Sequence, residues 1–140
     1  MNMSIREGET LPAATFVRKG ADGPEAVELA GLTKGRRIVI VAVPGAFTPT
    51  CHSAHMPTII AEHDAIRAKG VDEVIVLSVN DMHVMKLWGE ETGAEAAGIT
   101  LLADPESTFT KAIGMNFTAP ATGMIDRSSR YVMVVDDGVV

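Results

Sequence analysis

Thr48-Pro49-Thr50-Cys51 places a hydroxyl three residues ahead of the only cysteine in the chain. In a redox-active disulfide site a second cysteine occupies that position, at the head of a helix. A threonine cannot form a disulfide, but its hydroxyl can hydrogen-bond an oxygen substrate and a thiolate. The spacing is kept while the chemistry changes, away from disulfide exchange and towards attack of sulfur on an oxygen atom of a small polar molecule, with a sulfenic acid as product. Pro49 suits the first turn of a helix, so Cys51 is expected at or near its N-terminus. There the unpaired N–H groups and the positive end of the dipole favour thiolate over thiol. One cysteine cannot close an internal disulfide and is a buried filler, a ligand or a reactive thiol kept reduced by its compartment.

The ligand reading has little behind it. Cys51 and His55 are four apart, which is metal-ligand spacing on a helix, and His52, His63 and His83 are conceivable partners. No second Cys/His pair with zinc spacing accompanies them, so neither metal nor cofactor is expected. His55 reads as a helix residue that hydrogen-bonds a neighbouring loop. A lone cysteine beside a core strand is most often inert, and the flanking residues lift Cys51 above that reading. Asp136-Asp137 is followed by Gly138 and reads as turn chemistry, not as paired catalytic carboxylates.

The elements that must position Cys51 follow from periodicity. Ile38 to Val43 is an unbroken, mostly β-branched run, expected of a central strand buried on both faces at about Arg37 to Val43, and Pro44-Gly45 stops it. Ser53 to Lys69 carries Met56, Ile59, Ile60 and Ile66 on one helical face and ends at Gly70. Pro57 should kink it near its start and offset the Cys51 turn. Val74 to Val79 is a second strand, with Asn80 and Asp81 at the C-terminal end where open α/β sheets place their sites. His83 to Glu91 is helix-like, with Val84, Leu87 and Trp88 on one face, closed by Gly93. Ile99 to Ala103 is a third strand, followed by Asp104 as N-cap, Pro105 at the first helical position and a short helix from Glu106 to Ile113. Thr15 to Val17 is a possible short strand, Lys19 to Gly35 reads as loops with a brief strand and a turn at Gly31, and Met115 to Gly123 reads as loop. Tyr131 to Val135 is a last strand before a hairpin turn. Strands alternating with helices and a terminal hairpin indicate an α/β, three-layer, thioredoxin-like fold with a mixed central sheet, expected as one domain over 1–140.

Composition excludes some function classes. The formal net charge is -6, the Lys and Arg residues are scattered, and four Phe, one Trp and one Tyr are too few for a stacking platform, so nucleic acid is not an expected partner. Arg6, Glu7 and Glu9 interrupt any early apolar run, and no stretch approaches membrane-spanning length, so the expected location is the cytoplasm, with no membrane partner.

Pro44-x-x-x-Thr48-x-x-Cys51 resembles the signature of the peroxiredoxins, and Val43-Pro-Gly-Ala-Phe-Thr-Pro-Thr-Cys-His-Ser-Ala-His-Met-Pro57 resembles the peroxiredoxin-5 subgroup in particular. Leu77-Ser-Val-Asn-Asp81, Trp88-Gly89, Leu101-Leu-Ala-Asp-Pro105 and Arg130-Tyr-Val-Met-Val-Val-Asp-Asp-Gly138 are similar in order and spacing, from roughly Leu29 onwards. The resemblance implies a peroxidase in which Cys51 attacks hydrogen peroxide or an alkyl hydroperoxide, Thr48 orients it, Pro44 shields the sulfur and Arg130 completes the site. Thr50 and Cys51 would add backbone donors. Arg127, three residues before Arg130, is read as a surface or supporting charge. An external thiol, glutathione with glutaredoxin or thioredoxin, would reduce the sulfenate in a one-cysteine mechanism. A homodimer packed near the active-site loops, with Phe47 contributing, is also implied.

The chain departs from the subgroup at Thr50, where a small residue is common, and at His52, where serine is common. The family also continues past the final hairpin with a completed strand and a helix, which are expected to be missing here. The alternative from another class is a non-catalytic thioredoxin-like binding or chaperone module.

Overall fold

The computed structural model describes residues 4–140. Its centre is a six-stranded sheet in the order β2-β1-β5-β4-β3-β8. β3 (Arg37–Val43), β4 (Glu73–Ser78) and β5 (Thr100–Ala103) run parallel, while β1 (Thr15–Gly20), β2 (Gly23–Glu28) and β8 (Tyr131–Asp136) are antiparallel to their neighbours. The sheet is therefore mixed, as the sequence predicts.

The apolar runs of β3 and β4 are continuous because both faces are covered. Side chains alternate across the pleat: Val39, Val41, Val43, Val74 and Val76 face one core with α2 (Met56–Ala68) and α3 (Met82–Thr92). Ile38, Ile40, Ile75 and Leu77 face the other, with Leu29 of α1 (Leu29–Thr33) and Phe109 of α4 (Thr108–Ala112). Helices above and below the sheet make the three layers.

Several local expectations are corrected. The short strand expected at Thr15 to Val17 extends to Gly20 as β1 and pairs with β2, the brief strand expected between Lys19 and Gly35, as a hairpin, and Gly31 lies inside α1 rather than in a turn. Gly93 closes α3 in the left-handed conformation as predicted, but that helix is capped by Asp81, whose side chain accepts from the Val84 N–H at 2.9 Å. Its buried face is Met85, Trp88 and Gly89, while Leu87 points outwards. α4 begins at Thr108, so Pro105 is not its first residue. Asp104 still caps it at longer range: its buried carboxylate accepts from the N–H groups of Phe109 and Thr110 and from the Thr110 hydroxyl. The segment read as loop from Met115 forms β6 (Asn116–Ala119) and a tight turn, and β6 pairs with β7 (Met124–Ser128) as a separate ribbon. After β8, Val139 bridges to Asp136 and Thr10.

Candidate functional site: a sulfur beneath a two-pronged arginine

β3 ends at Val43, and the segment from Pro44 to Thr48 turns the chain at the C-terminal edge of the parallel strands. Asn80, just beyond β4, pins this loop: its Oδ1 accepts from the Ala46 N–H at 3.0 Å and from the Ser78 hydroxyl at 2.7 Å. From the other side Arg127 of β7 donates Nη1–H to the Pro44 carbonyl at 3.1 Å. Gly45 is required there, because a Cβ would lie 2.8 Å from that Nη1 and 3.1 Å from Thr48 Cγ2. Phe47 sits at φ 63°, a left-handed backbone that a non-glycine residue adopts at a cost of about 1 kcal/mol or more. Its half-exposed ring stacks on His52, with centroids 5.4 Å apart.

Thr48 starts the helix, with its carbonyl accepting from the His52 N–H at 2.8 Å. The next turn is wider: Cys51–His55 is π-helical, and the Met56 N–H reaches back five residues to the Cys51 carbonyl. Pro57, in the first turn of α2, has no N–H to offer and its ring crowds the carbonyl four residues before it, which favours the wider turn. The offset expected of Pro57 thus takes the form of a π-turn at the cysteine itself.

Cys51 is 1% exposed. Arg130 Nη2 donates to its Sγ at 3.2 Å, although 79 positions separate them. The register explains the meeting: Ala42 pairs with Tyr131 in the antiparallel β3–β8 ladder, so Arg130 stands beside the end of β3, where the loop to Cys51 departs. The other prong of the guanidinium, Nη1, lies 2.7 Å from His55 Nδ1. A guanidinium can only donate, so Nδ1 accepts and the neutral ring carries its proton on Nε2. Burial of the ring, and then the charge of Arg130, hold the His55 pKa below the ordinary histidine value. His52 is fixed likewise, its Nδ1 accepting from the indole N–H of the fully buried Trp88 at 3.0 Å.

Of the residues singled out in the sequence, Cys51 and Arg130 are brought into contact. Thr48 lies in the loop between Gly45 and the helix, with its hydroxyl proton directed to the Gly45 carbonyl at 2.7 Å. Pro44 is half-buried and Thr50 exposes its side chain, leaving Thr50 its backbone N–H in a helix's first turn as a donor. Arg127 is a support for the loop. His55 does bond a neighbouring loop, and that loop carries Arg130. The part played by Asn80 was not assigned from the sequence, although its position just past a parallel strand was the signal for it. The His52–Trp88 bond was missed because periodicity read Trp88 as packing alone.

A redoxin family profile matches residues 6–140. The chain belongs to the redoxin family and is a peroxiredoxin. Rice "Peroxiredoxin-2E-2, chloroplastic" is 43% identical over 98% of this chain, which spans 63% of that relative's length. Among solved structures, reduced Prx3 of Vibrio vulnificus in complex with hydrogen peroxide superposes with a TM-score of 0.91 at 45% identity, covering 97% of this chain and 84% of that one. Peroxiredoxin 5 of Alvinella pompejana gives 0.85 at 27% identity, over 96% of this chain and 85% of its own. The peroxiredoxin fits the peroxiredoxin-5 subgroup, and the thioredoxin-like fold expected from the sequence is that of these neighbours. Among the described residues no helix is long and apolar enough to cross a membrane.

Proposed function

We propose that this peroxiredoxin is a thiol-dependent peroxidase acting through Cys51. The observation that carries the reading is the Arg130 guanidinium on the buried Cys51 sulfur at the start of a helix. The thiolate attacks the terminal oxygen of hydrogen peroxide or an alkyl hydroperoxide. The O–O bond breaks, sulfur keeps the hydroxyl as a sulfenic acid, and the leaving oxygen takes a proton to become water or an alcohol. Because the Thr48 proton is committed to the Gly45 carbonyl, the threonine oxygen faces the peroxide as an acceptor and orients its O–H. Arg130 and the first-turn N–H groups of Thr50 and Cys51 donate to the oxygens as charge moves onto the leaving one. Pro44 shields the sulfur from water. That the Vibrio vulnificus neighbour was solved with hydrogen peroxide supports the same substrate class here.

An external thiol then attacks the sulfenic sulfur, releasing water and forming a mixed disulfide, which a second thiol resolves; thioredoxin, or glutathione with glutaredoxin, fits this role. A cysteine that must return to the thiol favours a reducing compartment such as the cytoplasm. Phe47, an apolar ring held outwards at the rim of the site, supports a homodimer packed about these loops.

The test is intact mass after seconds with one equivalent of hydrogen peroxide and a sulfenate trap. Stoichiometric trapping that disappears in Cys51→Ser is expected. An untrapped parent, or turnover that survives in Cys51→Ser, refutes the reading.

A further inference from the structure

Arg130 reaches the sulfur from an exposed position immediately before β8, on a side chain with four rotatable bonds. Among the described residues no carboxylate pairs with it; its partners are the Cys51 sulfur and the His55 ring. A flexible cation at a surface pays rotamer entropy to hold one geometry, and a single long contact to sulfur does little to fix it. The short contact is the one to His55, at 2.7 Å against 3.2 Å to sulfur. His55 is itself held on the last residue of the π-turn, and α2 follows without a break.

We propose that His55 is a positioning residue for Arg130: its neutral ring anchors one prong of the guanidinium so that the other points at the Cys51 sulfur, and protonation of the ring releases that aim. The inference rests on the peroxidase reading of the site. Two donor groups of one planar guanidinium caught by two acceptors fix its position and its plane; one acceptor fixes neither.

The direction of the pH effect follows from the bond. The charged group that acts on the ring is Arg130, facing it from the β7–β8 connection, and on its own helix Cys51 lies one turn back. Burial and Arg130 both lower the proton affinity of His55 below the ordinary value of 6.5, so at pH 7 the ring is neutral and accepts. As pH falls through the lowered pKa, beneath 6.5, the ring gains a proton at Nδ1. The acceptor is lost, an N–H meets an N–H, and two cations repel. Arg130 then leaves the sulfur, and peroxide loses its donor.

The experiment compares two reactions of Cys51, oxidation by hydrogen peroxide and alkylation by iodoacetamide, in the parent, His55→Leu and His55→Asn. Both need the thiolate, so the ratio of their rate constants removes the titration of the thiol, and thermal unfolding of each variant checks that it is folded. At pH 7 the ratio is expected to fall about tenfold in His55→Leu, the loss of one hydrogen bond to a charged group. It should recover most of the way in His55→Asn, whose carbonyl oxygen can take the place of Nδ1. As pH is lowered from 7 through the acid range in which the protein stays folded, the parent ratio should drop while that of His55→Asn stays level. A His55→Leu ratio within twofold of the parent, or a parent ratio flat with pH, overturns the role of His55 and leaves the peroxidase reading standing. A parent that reacts with peroxide no faster than free cysteine overturns both.

Discussion

Replacing Arg130 with lysine keeps one positive charge and removes the fork. In the parent the guanidinium spans two acceptors, at 3.2 Å to Cys51 Sγ and 2.7 Å to His55 Nδ1. Lysine ends in a single nitrogen on a shorter side chain and cannot serve both. If the ammonium stays with His55, its charge lies about 5 Å from the sulfur, farther out by roughly the spacing of the two prongs. At an effective dielectric of about 20, moving a unit charge from 3.2 Å to about 5 Å weakens its attraction for the reacting negative charge by about 2 kcal/mol, or roughly 25-fold in rate. Arg130→Met loses donor and charge together and should fall by about 10²–10³, as for other lost donors to developing oxyanions. The assay is rapid mixing of reduced protein with peroxide, quenching by alkylation, and intact mass against time. Because Arg130 is exposed, thermal unfolding should change little. A lysine variant that oxidises within threefold of the parent would show that the two-pronged geometry is not what drives the reaction.

The other expectations concern the loop around the sulfur. Gly45→Ala puts a methyl group 2.8 Å from Arg127 Nη1, so the bond to the Pro44 carbonyl must open; a loss of about 1–3 kcal/mol in denaturant unfolding and slower peroxide oxidation are expected. Unchanged stability and rate together would show that Arg127 does not hold the loop. Phe47→Lys places a charge at the rim where a second copy would pack, and light scattering at working concentration should report a dimer for the parent and a monomer for the variant. A monomeric parent rules out the dimer reading.

What could be read in the sequence depended on how local its cause was. Ile38 to Val43 announced a central strand because burial on both faces leaves no polar alternation, and Gly93 announced a helix end because only glycine takes that backbone cheaply. Asp104 was recognised as a cap but placed three residues early, since its carboxylate reaches across the Pro105-Glu106 turn to Phe109 and Thr110, and a rule about adjacent residues does not cover that. The β6–β7 ribbon looked like loop because β6 is four residues long, the pairing shifts register between Phe117 and Ala119, and Pro120 and Gly123 interrupt the run. At the site, Thr48 and Cys51 were legible from their spacing. Arg130 was identified by resemblance, because its contact depends on β3–β8 register, which no local pattern encodes. The second prong on His55 depends on the same register and was still harder to see.

The bond between the indole N–H of Trp88 and His52 carries a consequence for observing the molecule. Trp88 is the only tryptophan, it is wholly buried, and the ring it touches belongs to the residue next to Cys51. Phe47, at the rim of the loop, lies 6.4 Å away and stacks on the same His52 ring. Any shift of the π-turn or the loop on oxidation must therefore pass through the surroundings of a single fluorophore. Oxidation of Cys51 that moves this turn is therefore expected to change tryptophan fluorescence in the unlabelled protein, with no second tryptophan to dilute it.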